Sequence, residues 1–139
     1  MDFKLELVIL PVSDVDRAKA FYTEQLGFNL DVDHDISEDF RVVQMTPTGS
    51  ACSITIGRGM TTATPGSYMG THLVVTDIEA ARSLLVNRGV EVSDIFHFEE
   101  GQRKPGADPK HATYNSFANF SDPDGNGWVL QEVNYSPAS

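Results

Sequence analysis

Apolar positions along this chain switch period several times, and each switch predicts an element. Phe3, Leu5, Leu7 and Ile9 alternate within the apolar, β-rich run from Phe3 to Val12, which predicts a strand. From Val15 the apolar positions follow a helical spacing: Val15, Ala18, Phe21, Tyr22 and Leu26. Ser13 or Asp14 is placed to cap that helix, and Ser13 with Asp16 resembles a capping box. Gly27 suits the left-handed position just past its end. Three strands are then expected over residues 28–36, 40–45 and 51–57, with a turn at Pro47, Thr48 and Gly49 between the last two. The result is a βαβββ module.

Residues 58–69, rich in Gly, Thr and Pro, read as a linker. A second series follows. A strand over 70–75 leads to a capping box at Thr76 and Glu79, a helix ending near Gly89, and a strand over 90–98. Residues 99–116 form a long polar excursion, and such loops in compact domains are functional or mobile. Strands over 117–121 and 127–134 flank a tight-turn sequence, Asp122 to Asn126. The tail, Ser136 to Ser139, is expected to fray.

The two series echo each other. Val12 and Val75, Asp14 and Asp77, and Ala18 and Ala81 are all separated by 63 positions (77 − 14), while Gly27 and Gly89 are separated by 62 (89 − 27). Two copies are too few for a solenoid. They fit a pair of modules facing each other, with a cavity where they meet. At 139 residues the chain is expected to be a single domain, with module one at about 3–57, the linker at about 58–69 and module two at about 70–135.

A formal charge of −10 disfavours nucleic acid and anionic membrane as partners, because both select clustered Lys and Arg. The lone Cys52 excludes an intramolecular disulfide and a cysteine-based zinc knuckle. No apolar run approaches the roughly 20 residues of a membrane helix, and the first residues lack a signal peptide's basic and apolar regions. A cytoplasmic location is the expectation.

The run Val12, Ser13, Asp14, then Ala20, Phe21, Tyr22, then Leu26, Gly27, Phe28, the echoed Asp77 helix, and Phe120 to Asn126 together resemble the vicinal-oxygen-chelate superfamily. Its members include glyoxalase I, bleomycin-resistance proteins and extradiol dioxygenases. The resemblance implies an α+β fold in which two βαβββ modules form a curled mixed sheet around a pocket, in a homodimer. It says less about function, because this fold hosts several chemistries and pure binders.

Metal enzymes of that superfamily place one His, Gln or Glu on each of four strands. Carried onto this chain, those positions are Leu7, Thr55, Gly70 and Val129. Leu, Gly and Val offer no donor atom to a divalent cation, so the resemblance implies no metal at the usual site and no cofactor. Alternation extends the pocket face from these positions. It takes in Leu5, Leu7 and Ile9, then Ser53 and Thr55, then His72 and Val74, then Val129, Gln131 and Val133. Ile54, Ile56, Leu73, Val75, Trp128 and Leu130 are expected to face the helices. Phe21, Tyr22, Leu84 and Leu85 read as core.

An apolar face with a few polar groups suits a small-molecule pocket. Leu7, Ile9, Ser53, Thr55, His72, Val129, Gln131 and Tyr114 are the expected ligand contacts, with Tyr114 contributed by the excursion as a lid residue. His72 and Gln131 are the candidate catalytic pair, an imidazole that titrates near neutrality beside an amide that donates and accepts. His97 and His111 flank or lie in the excursion, and His111 reads as a solvated loop residue. Asp31, Asp33 and Asp35 are expected on one face of their strand with His34 on the other, while Arg41 and Gln44 are placed to reach the cavity mouth. Three functions compete: a metal-free binder of a small, partly apolar molecule; a lyase, isomerase or dioxygenase using His72 as acid–base or as an atypical metal ligand; and, weakest, a relic of a fused domain acting as a regulatory or interaction module.

Overall fold

The computed structural model describes residues 1–134; the expected fraying tail lies outside them. The chain packs as two compact units. The first contains Met1–Tyr68 together with Asp122–Asn126, and the second contains Met69–Ser121 and the chain from Gly127 onward.

In the first unit, β1 (Leu7–Ile9) leads to α1 (Val15–Ala20), which runs directly into a π-helical turn, Phe21–Gln25. The strands β2 (Asn29–Ser37), β3 (Phe40–Thr46) and β4 (Ser53–Arg58) follow. Their sheet has the order β1-β4-β3-β2, with β1 parallel to β4 and the other pairs antiparallel. The first strand is much shorter than the alternation predicts. Leu5 lies ahead of it and is 70 % exposed, which removes Leu5 from the expected pocket face. Asp14, not Ser13, caps α1 by accepting the Arg17 N–H. Ser13 instead donates both its N–H and its hydroxyl to Asp124.

The core of this unit lies between α1 and β4. Val15, Ala18, Phe21 and Tyr22 meet Val43, Met45, Ile54 and Ile56, all buried. Tyr22 stacks on Phe28 with centroids 5.8 Å apart and donates its hydroxyl to Asp122 at 2.8 Å. The turn Asp122–Asn126 belongs to this unit through a closed network. Asp122 also accepts the Asp124 and Asn126 N–H groups and the Asn126 amide, which in turn donates to the Pro11 carbonyl. Gly66 approaches so closely that a Cβ there would sit 2.1 Å from the Asp124 carbonyl oxygen.

The second unit contains β5 (Thr71–Val75), α2 (Ile78–Asn87), β6 (Phe96–Glu99), β7 (Gln102–Pro105), β8 (Ser116–Ser121) and β9 (Gly127–Glu132). Its sheet order is β5-β9-β8-β6-β7. Removing β7 leaves the connectivity of the first sheet, so the βαβββ plan is repeated with one added edge strand. Asp77 caps α2 through the Ala80 N–H, repeating the role of Asp14 and displacing the capping box expected at Thr76. Gly27 and Gly89 both take positive φ just past their helices. Residues 90–95 are not strand, and part of the expected loop is strand. Glu100 and Gly101, at φ 50° and 78°, make a two-residue hairpin turn of the kind whose twist matches its strands. Ile78, Leu85, Ala118, Phe120, Trp128 and Leu130 form the core, with Phe120 and Trp128 stacked 6.1 Å apart. Leu84, expected in the core, is half-exposed.

Candidate functional site

Each sheet packs one face under its helix; of the opposite faces, the second sheet's is partly exposed, while the first sheet's has Ser53 and Thr55 buried at its centre. On the first sheet, the register sets Leu7 beside Ser53, Ile9 beside Thr55, and Gln44 beside Thr55. Ile54 and Ile56 turn to the helix, so the expected Leu7, Ile9, Ser53 and Thr55 do share a face, and Val42, Gln44 and Thr46 join them. A directed hydrogen-bond chain crosses this face. Gln44 Nε2 donates to Ser53 Oγ at 3.3 Å, and Ser53 and Thr46 hydroxyls lie 2.6 Å apart. Thr46 Oγ1 donates to Asp31 Oδ2, so its single proton is committed and Ser53 must be the donor between the two hydroxyls. Thr55 Oγ1 is buried and has no partner among the described residues.

Asp31 reaches this face because the β2–β3 register shifts between Leu30 and Val32. The shift sends Asp31 to the side away from the helix and Asp33 to the helix side, contrary to the shared face expected for the three aspartates. Arg41 likewise does not reach an open mouth. It is 7 % exposed on the helix side, where it pairs with Asp33 and Asp16, while Lys19 adds a second cation to Asp33 at 2.7 Å. Those two cations hold the Asp33 carboxyl well below the usual carboxylate range, through Arg41 first and Lys19 second.

On the second sheet, His72 lies beside Val129, Val74 beside Gln131, and Gln131 beside Phe117. His72, Val129 and Gln131 therefore share a face, as alternation predicts. The His72 and Gln131 side chains are each held by a backbone carbonyl. His72 Nδ1 donates to the Gly70 carbonyl at 2.5 Å, and Gln131 Nε2 donates to the Tyr114 carbonyl at 3.2 Å. His72 is an exposed residue, and with Nδ1 donating to a carbonyl its Nε2 is the ring nitrogen left to accept in the neutral tautomer. Val133 lies beyond β9 and is buried, in a groove of about 520 Å³ that also includes Val74, Ala81 and Leu84.

The same face carries an aromatic cluster that alternation from β5 and β9 alone does not reach. Phe96 stacks on Phe117 at 5.5 Å, Phe98 meets Phe117 edge-on at 5.7 Å, and the Arg103 guanidinium lies 3.6 Å over the Phe96 ring. Phe98 is 41 % exposed. The signal was present in the period-two run Phe96–Phe98, read only as a strand end.

The excursion after β7 is tightly organised. Buried Asp108 accepts the Lys110 and Ala112 N–H groups and the Asn115 amide, and its own N–H donates to Ser116 Oγ. These donors, Asn115 first, lower its pKa. Tyr114, half-exposed at φ 68°, hangs its N–H on the Glu132 carbonyl. His111, expected to be a free loop residue, meets the buried Glu132 carboxylate at 2.8 Å, which raises its pKa. His97 is buried, with Nδ1 at 2.6 Å from the Gly106 carbonyl and Nε2 at 3.0 Å from Glu99. Glu99 and then Gly106 raise its pKa.

A family model described as Glyoxalase/Bleomycin resistance protein/Dioxygenase superfamily matches residues 4–130. The chain belongs to that superfamily. Among solved structures, it is 32 % identical to TnmS3, an antibiotic binding protein from Streptomyces sp. CB03234, with 96 % of this chain and 98 % of that one covered and a TM-score of 0.74. A glyoxalase/bleomycin resistance protein from the same Streptomyces strain is 34 % identical, with 92 % and 99 % covered and a TM-score of 0.70. The Bacillus subtilis (strain 168) protein YetH is 25 % identical over 129 residues, 90 % of this chain and 94 % of that one.

Within the superfamily frame, the four positions carried over as metal ligands hold Leu7, Thr55, Gly70 and Val129. Gly70 sits at φ 84° ahead of β5, its N–H on the Gly127 carbonyl. Among the described residues no three His, Cys, Asp or Glu side chains are grouped to hold an ion. No helix among them is long and apolar enough to cross a membrane.

Proposed function

We propose that this superfamily member binds a small, partly apolar molecule on the sheet faces opposite its helices and does so without the four-ligand metal site. The observation that carries this reading is the aromatic cluster on the face shared with Gln131 and Val129, in which Phe98 is exposed, Phe117 is partly exposed and Phe96 is buried. Aromatic surface beside a few fixed polar groups is how small-molecule sites combine affinity with orientation. The likeness to TnmS3, an antibiotic binding protein, supports the same reading. Leu7, Ile9, Ser53 and Thr55 supply the mixed polar and apolar counterpart on the first sheet, and Tyr114 borders the second face. A net charge of −10 favours a neutral or cationic ligand. We further propose a cytoplasmic homodimer, on the ground that β5 is an edge strand with half-exposed Val74.

The test is thermal shift against a panel of small neutral and cationic aromatic molecules, followed by recovery of each hit. A hit that raises the melting temperature, returns unchanged and loses its effect in Phe117→Ala and Phe98→Ala supports binding. A panel without hits, or hits indifferent to both substitutions, rejects it. Light scattering on the same sample reads the oligomeric state, and elemental analysis of untagged protein reads the metal content.

The exposed His72, its Nδ1 held by the Gly70 carbonyl, favours one second reading, an enzyme of the superfamily using His72 as acid–base. A hit that is chemically converted by the wild type and not by His72→Ala would establish it.

A further inference from the structure

The structure points to a proton-operated clasp: we propose that protonated His97 and His111 hold the segment from Gly106 to Asn115 shut over the end of the second sheet, and that the segment loosens when they lose their protons. The argument begins at His97. Both ring nitrogens face groups that only accept, the Gly106 carbonyl and the Glu99 carboxylate. A neutral imidazole has one N–H and one lone pair, so it can satisfy one of these and must oppose the other. Only the imidazolium donates to both. The ring is 4 % exposed, so water cannot take the place of the lost donor.

His97 grips the start of the segment at Gly106, and His111 grips its far half at Glu132. The backbone of the segment's far half is under strain. His111 and Tyr114 both sit at positive φ, 46° and 68°, where side chains other than glycine are disfavoured. Such a backbone persists only while its surroundings hold it.

The charged groups around each ring favour the proton. His97 is faced by Glu99 on its own strand, by Asp108 from the segment and by Lys104 across the β7 pairing. His111 is faced by Glu132 from β9, Glu79 from α2 and Asp108. Lys104 is the opposing charge in this set. Both histidines have folded pKa values raised above 6.5. Their contribution is therefore complete below pH 6.5 and is lost as pH rises through the raised values. Asp108 works in the other direction: its contribution is present above pH 3.8 and is lost as pH falls below that. The clasp is firm between those limits.

The functional consequence rests on the binding reading above, because Tyr114 borders the face of Gln131. Opening the clasp would change how a ligand is retained there. The clasp itself is tested on ligand-free protein, so its failure and the failure of the binding reading are separate results. Amide hydrogen-exchange protection factors, referenced to intrinsic rates at each pH, are measured from pH 5.5 to 9. Residues 107–115 are expected to lose protection above pH 6.5 by up to about a hundredfold per pH unit, the limiting slope of two coupled protons, until pH passes the raised values. Amides of β8 and β9 outside the segment should hold theirs. His97→Gln and His111→Gln should each flatten part of that slope. Should a variant fold poorly, ¹⁵N ring shifts of the wild type decide the matter. His97 is expected to be an imidazolium at pH 7. A neutral His97 at pH 7, or protection of the segment that does not change with pH, would overturn the clasp.

Discussion

From its capping aspartate to its closing glycine, the first helix takes thirteen steps (27 − 14) and the second takes twelve (89 − 77). Both glycines nevertheless arrive at the same left-handed corner. The first unit absorbs its extra residue in the π-helical turn Phe21–Gln25, where the Leu26 N–H reaches back five residues to the Phe21 carbonyl. The second unit has a regular helix and its own addition, β7 with the segment after it. The faces away from the helices differ as well: hydroxyls and an amide linked to Asp31 on one, phenyl rings on the other. Repeating a backbone plan thus left the faces opposite the helices free to diverge.

The sharpest way to break this comparison is through the cores. Trp128 and Leu130 on β9 occupy the places that Ile54 and Ile56 occupy on β4, and Trp128 is 2 % exposed against the Phe120 ring. Trp128→Ala should cost about 3–5 kcal/mol in urea denaturation, more than Ile56→Val at about 1 kcal/mol. Equal losses would mean that the second core does not depend on its aromatic stack.

Next in size is Arg41, which has no counterpart in the second unit. Its removal leaves Asp33 with Lys19 alone, and Arg41→Ala should destabilise by about 3 kcal/mol. The wild type should also be acid-sensitive through Asp33. The carboxyl's folded pKa is depressed, so its contribution is present above pH 3.8 and is lost as pH falls through the lower folded value. Stability measured from pH 6 down to pH 2 should show a steeper loss in wild type than in Arg41→Ala. Parallel profiles would remove Asp33 from the account.

Tyr22→Phe deletes the hydroxyl that donates to Asp122 and leaves the ring stack in place, with an expected loss of about 1.5 kcal/mol. The smallest effect concerns the π-helical turn. Deleting exposed Glu24 brings the first helix to the length of the second. Stability should change by no more than about 1 kcal/mol, because the deletion restores regular hydrogen bonding without moving Gly27. Loss of folding would show that the turn is required by the packing of Tyr22 and is not a tolerated insertion.

The repeat made most of the skeleton legible. It paired Asp14 with Asp77 and Gly27 with Gly89, and two-residue alternation placed Leu7, Ile9, Ser53, Thr55, His72, Val129 and Gln131 on their faces. The mismatch of 63 and 62 also contained the π-helical turn, since an extra helical residue must be looped or wound in. Three features were out of reach for physical reasons. The bulge that turns Asp31 over depends on pairing with β3, which a single strand's sequence does not specify. β7 hides in a polar run because an edge strand needs little apolar surface. The His97 and His111 contacts join residues brought close by the fold, and periodicity says nothing of such partners.

One consequence of the Asp122–Asn126 turn concerns how the molecule can be divided. Because that turn lies far along the chain yet is built into the first unit by Tyr22, Ser13 and Pro11, a fragment ending at the linker would lack part of its own fabric. The remainder would carry an orphaned hairpin tip rich in carboxylates. Expressing the halves separately is therefore no route to two working modules, and duplication here has ended in mutual dependence.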